Sequence, residues 1–227
     1  MTMNKKEFEK TIKFVNFLTK KKYTYNFQWL GIDTIQFPSD LIVIQELIYK
    51  IKPNVIIETG VAKGGSLIFY SSILNLIKQK YKKVIGIDIL IKKKNKNKIL
   101  KHPMSKNIQL IEGSSTDDKV IKKLKIKKKS KVLVILDSNH SEHHVLNELS
   151  IYSKIVSKGS YLIVLDTTIE YIDNNLNIKK NLFMRGNNPL TAVKKFLKKN
   201  KKFRIEKNLH EKSLVSNAYS GFLKKVK

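Results

Sequence analysis

The chain has 227 residues, 46 Lys and Arg against 18 Asp and Glu, a formal net charge of +28, and no cysteine. Without cysteine there is no disulfide framework, no thiolate metal site and no sulfur nucleophile, and no apolar run is long enough to span a bilayer. A hydrophobic fraction of 41% suits one folded α/β domain rather than a disordered chain.

The N-terminus, Met1-Thr2-Met3-Asn4-Lys5-Lys6, leads into an amphipathic helix predicted over 4–20, not into a signal-peptide pattern. A cytoplasmic setting is therefore expected. A Trp29-containing loop follows, and Ser39 or Asp40 is positioned to cap a helix over 40–51. The β-branched run at 54–58 reads as a buried strand, and Thr59 to Ser66 as a Gly-rich turn into a helix reaching about residue 80. Further strands are predicted at 83–88, 107–111, 132–137 and 161–166, with helices over 116–126 and 141–156 between them. A polar loop over 167–188 precedes a helix from Pro189 to about 199, and short strands near 202–206 and 217–223 finish the chain. Strands alternating with helices predict a mostly parallel sheet covered on both faces. Residues 1–50 read as an N-terminal helical segment packed on a core formed by 51–227.

The basic charge is almost all lysine, since only Arg185 and Arg204 are arginine. Arginine is the residue that reads bases and phosphates with a bidentate fork. The runs Lys92-Lys93-Lys94, Lys127-Lys128-Lys129, Lys198-Lys199 and Lys201-Lys202 therefore read as solvated surface that steers anions. A nucleic-acid-binding or RNA-modifying protein is the competing reading that the charge suggests.

Four predicted strands end in an acid: Glu58, Asp88, Asp137 and Asp166. In open α/β sheets ligands sit beyond the carboxyl ends of the strands, so these acids should converge on one cleft. The turn is not G-x-G-x-x-G, because Gly60 and Gly64 are four apart. That counts against a nicotinamide cofactor. Glu58 would repel a pyrophosphate and suit a ligand carrying positive charge.

Glu58-Thr59-Gly60-Val61-Ala62-Lys63-Gly64-Gly65-Ser66 resembles the first motif of class I S-adenosylmethionine-dependent methyltransferases, in the variant of the cephalosporin hydroxylase family, which also contains rhamnosyl O-methyltransferases. The likeness continues through Trp29-Leu30-Gly31, Val84 to Ile89, His102-Pro103, Ile111 to Asp117, Leu136 to Ser141, Gly159 to Thr167 and Gly221-Phe222-Leu223, covering about residues 28–226. The resemblance implies a Rossmann-like, seven-stranded methyltransferase sheet. It implies that Gly60, Gly64, Gly65 and Ser66 underlie the methionine part of S-adenosylmethionine, with Glu58 facing its amino-acid end. Asp88 matches the ribose-binding acid, and Gly113-Ser114-Ser115 the segment beside the adenine. Asp137 and Asp166 match positions that bind a divalent ion, Mg²⁺, where a metal is present. The family commonly has a further acid just before Asp166, where this chain has Leu165.

The resemblance also implies an O-methyltransferase acting on a small-molecule or glycan acceptor, a sugar hydroxyl in surface polysaccharide or glycolipid synthesis. Peripheral membrane contact and self-association into a homo-oligomer are further expectations. His140 sits three residues past Asp137 and should overhang the cleft. It is either a general base for the acceptor hydroxyl or a residue that caps the next helix or bonds Asp137. Asp137 could take part in the same deprotonation through a metal. His143 and His144 are expected to face solvent, and His102 reads as isolated. Two histidines and a carboxylate on one face would be needed for a non-haem iron site, and the spacing here does not match one.

Overall fold

The computed structural model describes residues 3–173 and 183–227. Helix α1 (Lys5–Lys20) opens with a reciprocal cap between Asn4 and Glu7. Strands β1 (Phe27–Trp29) and β2 (Ile32–Thr34) form a small antiparallel hairpin where a loop is predicted. Helix α2 (Pro38–Ile51) starts at Pro38, not at residue 40, because proline's fixed φ suits the first helical position. Neither Ser39 nor Asp40 caps it. Asp40 is 1% exposed and instead accepts hydrogen bonds from the Ser216 hydroxyl at 2.6 Å and the Asn217 amide at 2.7 Å.

The main sheet is built from β3 (Val55–Thr59), β4 (Lys83–Asp88), β5 (Ile108–Glu112), β6 (Val132–Leu136), β7 (Tyr161–Val164), β8 (Phe203–Ile205) and β9 (Phe222–Lys225). Its seven strands run in the order β5-β4-β3-β6-β7-β9-β8. β9 alone is antiparallel to its neighbours β7 and β8. This is the expected seven-stranded, mostly parallel α/β sheet. β3 lies at its centre, all five of its residues are buried, and it pairs in parallel with β4 and β6.

Helices α3 (Gly65–Leu76), α4 (Lys93–Lys101), α5 (Asp118–Lys122), α6 (Glu142–Tyr152), α7 (Pro189–Lys199) and α8 (Lys207–Ser213) complete the chain. α4 and α8 lie where no helix is predicted, and α3 and α5 are shorter than predicted. One hydrophobic layer joins α2 and α3 to one sheet face through Ile44, Ile48, Leu67, Ile68 and Leu74. The other joins α6 and α7 to the opposite face through Val145, Leu149, Tyr152 and Val193. Alternate strand residues such as Ile56 and Ile57 serve the two layers in turn. The four lysine runs are all exposed. No helix among the described residues is long and apolar enough to cross a membrane.

Candidate active site

The carboxyl ends of β3, β4 and β6 meet at the turn between β3 and α3. Gly60, at φ +89°, occupies the left-handed region that glycine enters without strain. A side chain there would overlap the Asp137 backbone carbonyl, so Gly60 lets β3 and the end of β6 approach closely. Gly64 is the N-cap of α3, and no side chain caps that helix. Its first amides therefore point into the turn as anion donors. A side chain on Gly65 would strike Thr34, because the β1–β2 hairpin rests on this turn. Trp29 fastens the hairpin, its indole N–H donating to Ser72 Oγ at 3.0 Å.

Asp88 ends β4 and reaches back to the turn. Its Oδ2 accepts from the amides of Val61 at 2.8 Å and Ala62 at 3.2 Å. Ala62 has φ 46°, an uncommon conformation for a residue with a side chain. Asp88 therefore holds a turn that the backbone alone would not favour.

Glu58 differs from its expected placement. It is 0% exposed, lying beneath the turn instead of lining the cleft. The hydroxyls of Ser66 and Tyr70 donate to its two oxygens at 2.6 and 2.8 Å. Burial, with Asp88's charge adding, pushes its carboxyl from the usual 4.5 up to about 7 despite those hydrogen bonds.

Asp137, His140 and Asp166 form a second group, with one ligand atom from each lying within 4.8 Å of the others. Asp166 lies two residues past β7 at φ 54°. His140 Nε2 is 3.3 Å from Asp166 Oδ2, and its ring packs edge-on against Phe183 at 5.1 Å. His140 thus pairs with Asp166; Asn139, not His140, bonds the Ser141 amide at the start of α6. Burial, with Asp166 and Glu58 nearby, holds the Asp137 carboxyl well above the usual range. Leu165 is 3% exposed and packs in the core, so it offers nothing to this group. Among the described residues, His140 is the one histidine grouped with the two acids, so no two-histidine iron set is assembled there.

The cleft between the two groups is lined by Asp33, Ile35, Gln36, residues 60–66 and Asp137. A larger groove of ≈ 370 Å³ runs along the outer edge strand β5, past Gln109 and Lys123. It contains none of Glu58, Asp88, Asp137 and Asp166, whereas the smaller cleft holds the Gly-rich turn and Asp137 and is therefore the candidate site. Asp33 and Gln36 were missed in the sequence, where nothing marks the hairpin as the turn's cover.

Ser114 and Ser115 follow β5. The Ser114 hydroxyl pairs with that of Thr116 at 3.0 Å. Ser115 is 5% exposed, and its hydroxyl lies 3.1 Å from His144 Nε2. His144 therefore faces inward, contrary to expectation, because it lies in the first turn of α6 on the side of Ser115 and Ser138; His143 is exposed as expected. His102 is not isolated: Nδ1 accepts from the Met104 amide at 3.1 Å and Nε2 lies 3.0 Å from the Leu30 carbonyl. Part of the 167–188 loop, residues 174–182, lies outside the described residues. Its flanks are tied by Glu170, which accepts from the Gly186 amide and the Asn188 side chain at 2.9 and 2.6 Å.

A family model described as Rhamnosyl O-methyltransferase/CmcI matches residues 21–226. The chain belongs to the rhamnosyl O-methyltransferase/CmcI family. The Rhamnosyl O-methyltransferase of Mycobacterium tuberculosis strain H37Rv is 33% identical over 160 residues, covering 66% of this chain and 62% of that protein. That of Mycobacterium leprae is 32% identical over 144 residues, covering 62% and 60%. The chain thus matches less than two thirds of the length of these relatives.

Among solved structures, a CmcI structure described as Mg-SAM superposes with a TM-score of 0.62 at 19% identity, covering 89% of this chain and 78% of that one. An O-methyltransferase from Bacillus cereus in complex with SAH gives 0.56 at 12% identity, covering 86% and 81%. At these identities the likeness concerns the fold: this rhamnosyl O-methyltransferase/CmcI family member has the architecture of those proteins.

Proposed function

We propose that this member of the rhamnosyl O-methyltransferase/CmcI family transfers a methyl group from S-adenosylmethionine to a hydroxyl of a small-molecule or glycan acceptor, a sugar such as a rhamnosyl unit first among them. The observation that carries the reading is the meeting of Asp137, His140 and Asp166 within 4.8 Å beside a Gly-rich turn. S-adenosylmethionine supplies an electrophilic methyl carbon when bound. The uncapped start of α3 can receive its carboxylate, and Asp88, which already orders the turn, is the acid assigned here to the ribose.

The donor set also fits a divalent cation. Two carboxylates this close are costly unless a cation or a proton lies between them, and burial, with the Asp166 charge adding, makes Asp137 resist ionisation. Their oxygens suit Mg²⁺, and Asp137 and Asp166 would hold it. Such an ion lowers the pKa of a coordinated hydroxyl. His140 is the group able to take the acceptor's proton, and Asp166 orients its ring at Nε2. Phe183 packs edge-on against the imidazole and limits its rotation.

A nucleic-acid partner is not part of this reading, because the exposed lysines are distributed over α1, α4, α7 and the turn at 127–129. The reading includes a cytoplasmic setting, where the methyl donor is made, one structural unit in which residues 1–50 serve the 51–227 domain, and self-association. The test is titration with S-adenosylhomocysteine, then incubation with methyl-labelled S-adenosylmethionine and a panel of rhamnosyl and other glycosides. Saturable S-adenosylhomocysteine binding and label in a glycoside are expected. Saturable NAD binding with no response to S-adenosylhomocysteine would overturn the assignment.

A further inference from the structure

Helix α6 carries a buried acid that its packing does not require. Val145, Leu149 and Tyr152 seat the helix on the sheet, whereas Glu148, 0% exposed, brings a carboxylate into the same layer. A carboxylate withdrawn from water is costly unless it is compensated. Its Oε1 accepts from the Ser138 hydroxyl at 2.8 Å and lies 3.5 Å from His144 Nε2. Its Oε2 has no hydrogen-bond partner among the described residues. The i, i+4 spacing places His144 and Glu148 on one helix face, so the acid's main polar neighbours are Ser138 and His144.

His144 Nε2 is the centre of this cluster, 3.1 Å from Ser115 Oγ and 3.2 Å from Ser138 Oγ. Ser115 belongs to the loop after β5, and Ser138 directly follows Asp137 after β6. From the next turns of α6, Tyr152 donates to the Ser115 carbonyl at 2.9 Å. In the sheet β4 and β3 stand between β5 and β6, so no strand pairing sets the distance between these two loops. Side chains of α6 hold both of them.

We infer that His144, anchored by Glu148, is a positioning residue that fixes the Ser115 loop against the Asp137–His140 loop and so sets the span of the cleft between the nucleoside end and the reacting end. This rests on the S-adenosylmethionine reading of the cleft, so binding by the unaltered chain is measured first. No saturable binding of S-adenosylhomocysteine there would refute the cofactor reading itself, not the role of His144 alone.

With that binding established, His144→Ala should weaken S-adenosylhomocysteine by about 10-fold or more in calorimetry, the scale of losing hydrogen bonds around a charged group. His144→Gln, whose amide nitrogen can sit near the Nε2 position, should stay within about threefold of the original. His143→Ala, at the exposed neighbouring position, should bind as the original does. Ser138→Ala should weaken binding alone but add little on top of His144→Ala, since both act through one cluster. The inference is overturned if His144→Ala binds normally, or if the Ala and Gln variants lose affinity equally, which is the mark of lost packing. Should His144→Ala fail to fold, Ser138→Ala decides: weakened binding supports the coupling, and unchanged binding overturns it.

Discussion

His140 Nε2 and Asp166 Oδ2 lie 3.3 Å apart at the ends of two neighbouring parallel strands, β6 and β7. Asp166 takes part in the pair from a left-handed backbone, φ 54°. Asp and Asn tolerate that conformation better than other residues with side chains. With Leu165 committed to the core, His140 is the third polar group beside the two acids.

Replacing His140 tests whether it carries the proton transfer. His140→Ala should lower kcat by about 10²–10⁴-fold, the usual loss for a general base, with S-adenosylhomocysteine affinity nearly unchanged. The check is steady-state methyl transfer to an accepted glycoside alongside calorimetry. Full activity in the variant would leave the imidazole a structural role only.

The two acids predict how a metal binds. Mg²⁺ should raise the melting temperature of the original chain and have no effect on Asp166→Asn. Burial and Asp166 hold Asp137 in its protonated form above the usual carboxylate range. A metal must displace that proton, so Mg²⁺ affinity should fall as the pH is lowered. Thermal-shift titrations at several pH values measure this. An affinity independent of pH would place the ion elsewhere.

Asp88 has a role in the turn before any ligand arrives. Asp88→Ala removes the acceptor for the Val61 and Ala62 amides, and Ala62 loses the contact that supports its left-handed backbone. S-adenosylhomocysteine binding should weaken by about 1–3 kcal/mol, the range for hydrogen bonds to a charged group. Amide hydrogen exchange in residues 60–64 should become faster. Loss of affinity without faster exchange would assign Asp88 to the ligand alone.

Two buried carboxyls give the stability a specific pH dependence. Burial pushes Asp40 from the usual 3.8 up to about 7, and Glu58 from 4.5 up to about 7. Between about pH 4 and pH 7 the folded chain therefore holds protons at these sites that the unfolded chain has released. Their contribution is fully present below about pH 4 and is lost as the pH rises through about 7. Asp40→Asn and Glu58→Gln should each flatten the melting temperature between those limits relative to the original chain. A parallel pH profile in the variants would show that these carboxyls do not titrate in that window.

Much of the architecture was readable in the order of residues. The runs at Val55, Val84, Val132 and Tyr161 are β-branched or aromatic and bounded by turns, and parallel strands buried on both faces require that composition. The Gly60–Ser66 turn was equally legible, because left-handed and close-packed backbone admits few residues other than glycine. The grouping of Asp137 with Asp166 was implied by the family resemblance, whose topology makes their strands neighbours.

Other features depended on partners distant in the chain. The β1–β2 hairpin lacks strong periodicity and is fixed by Trp29 on Ser72 and Thr34 on Gly65. α4 has a lysine-rich sequence with little apolar signal, and the buried Ile99 seats it against Gly64. The inward turn of His144, the burial of Glu58 and the diversion of Asp40 to Ser216 and Asn217 were likewise invisible in local pattern. Local order alone marks the strands of the main sheet and the glycine turn after β3, since those depend on neighbours within a few residues. Which acids keep their protons, and which histidine meets them, follows from packing, because desolvation and like-charge proximity arise when separate strand ends are brought together.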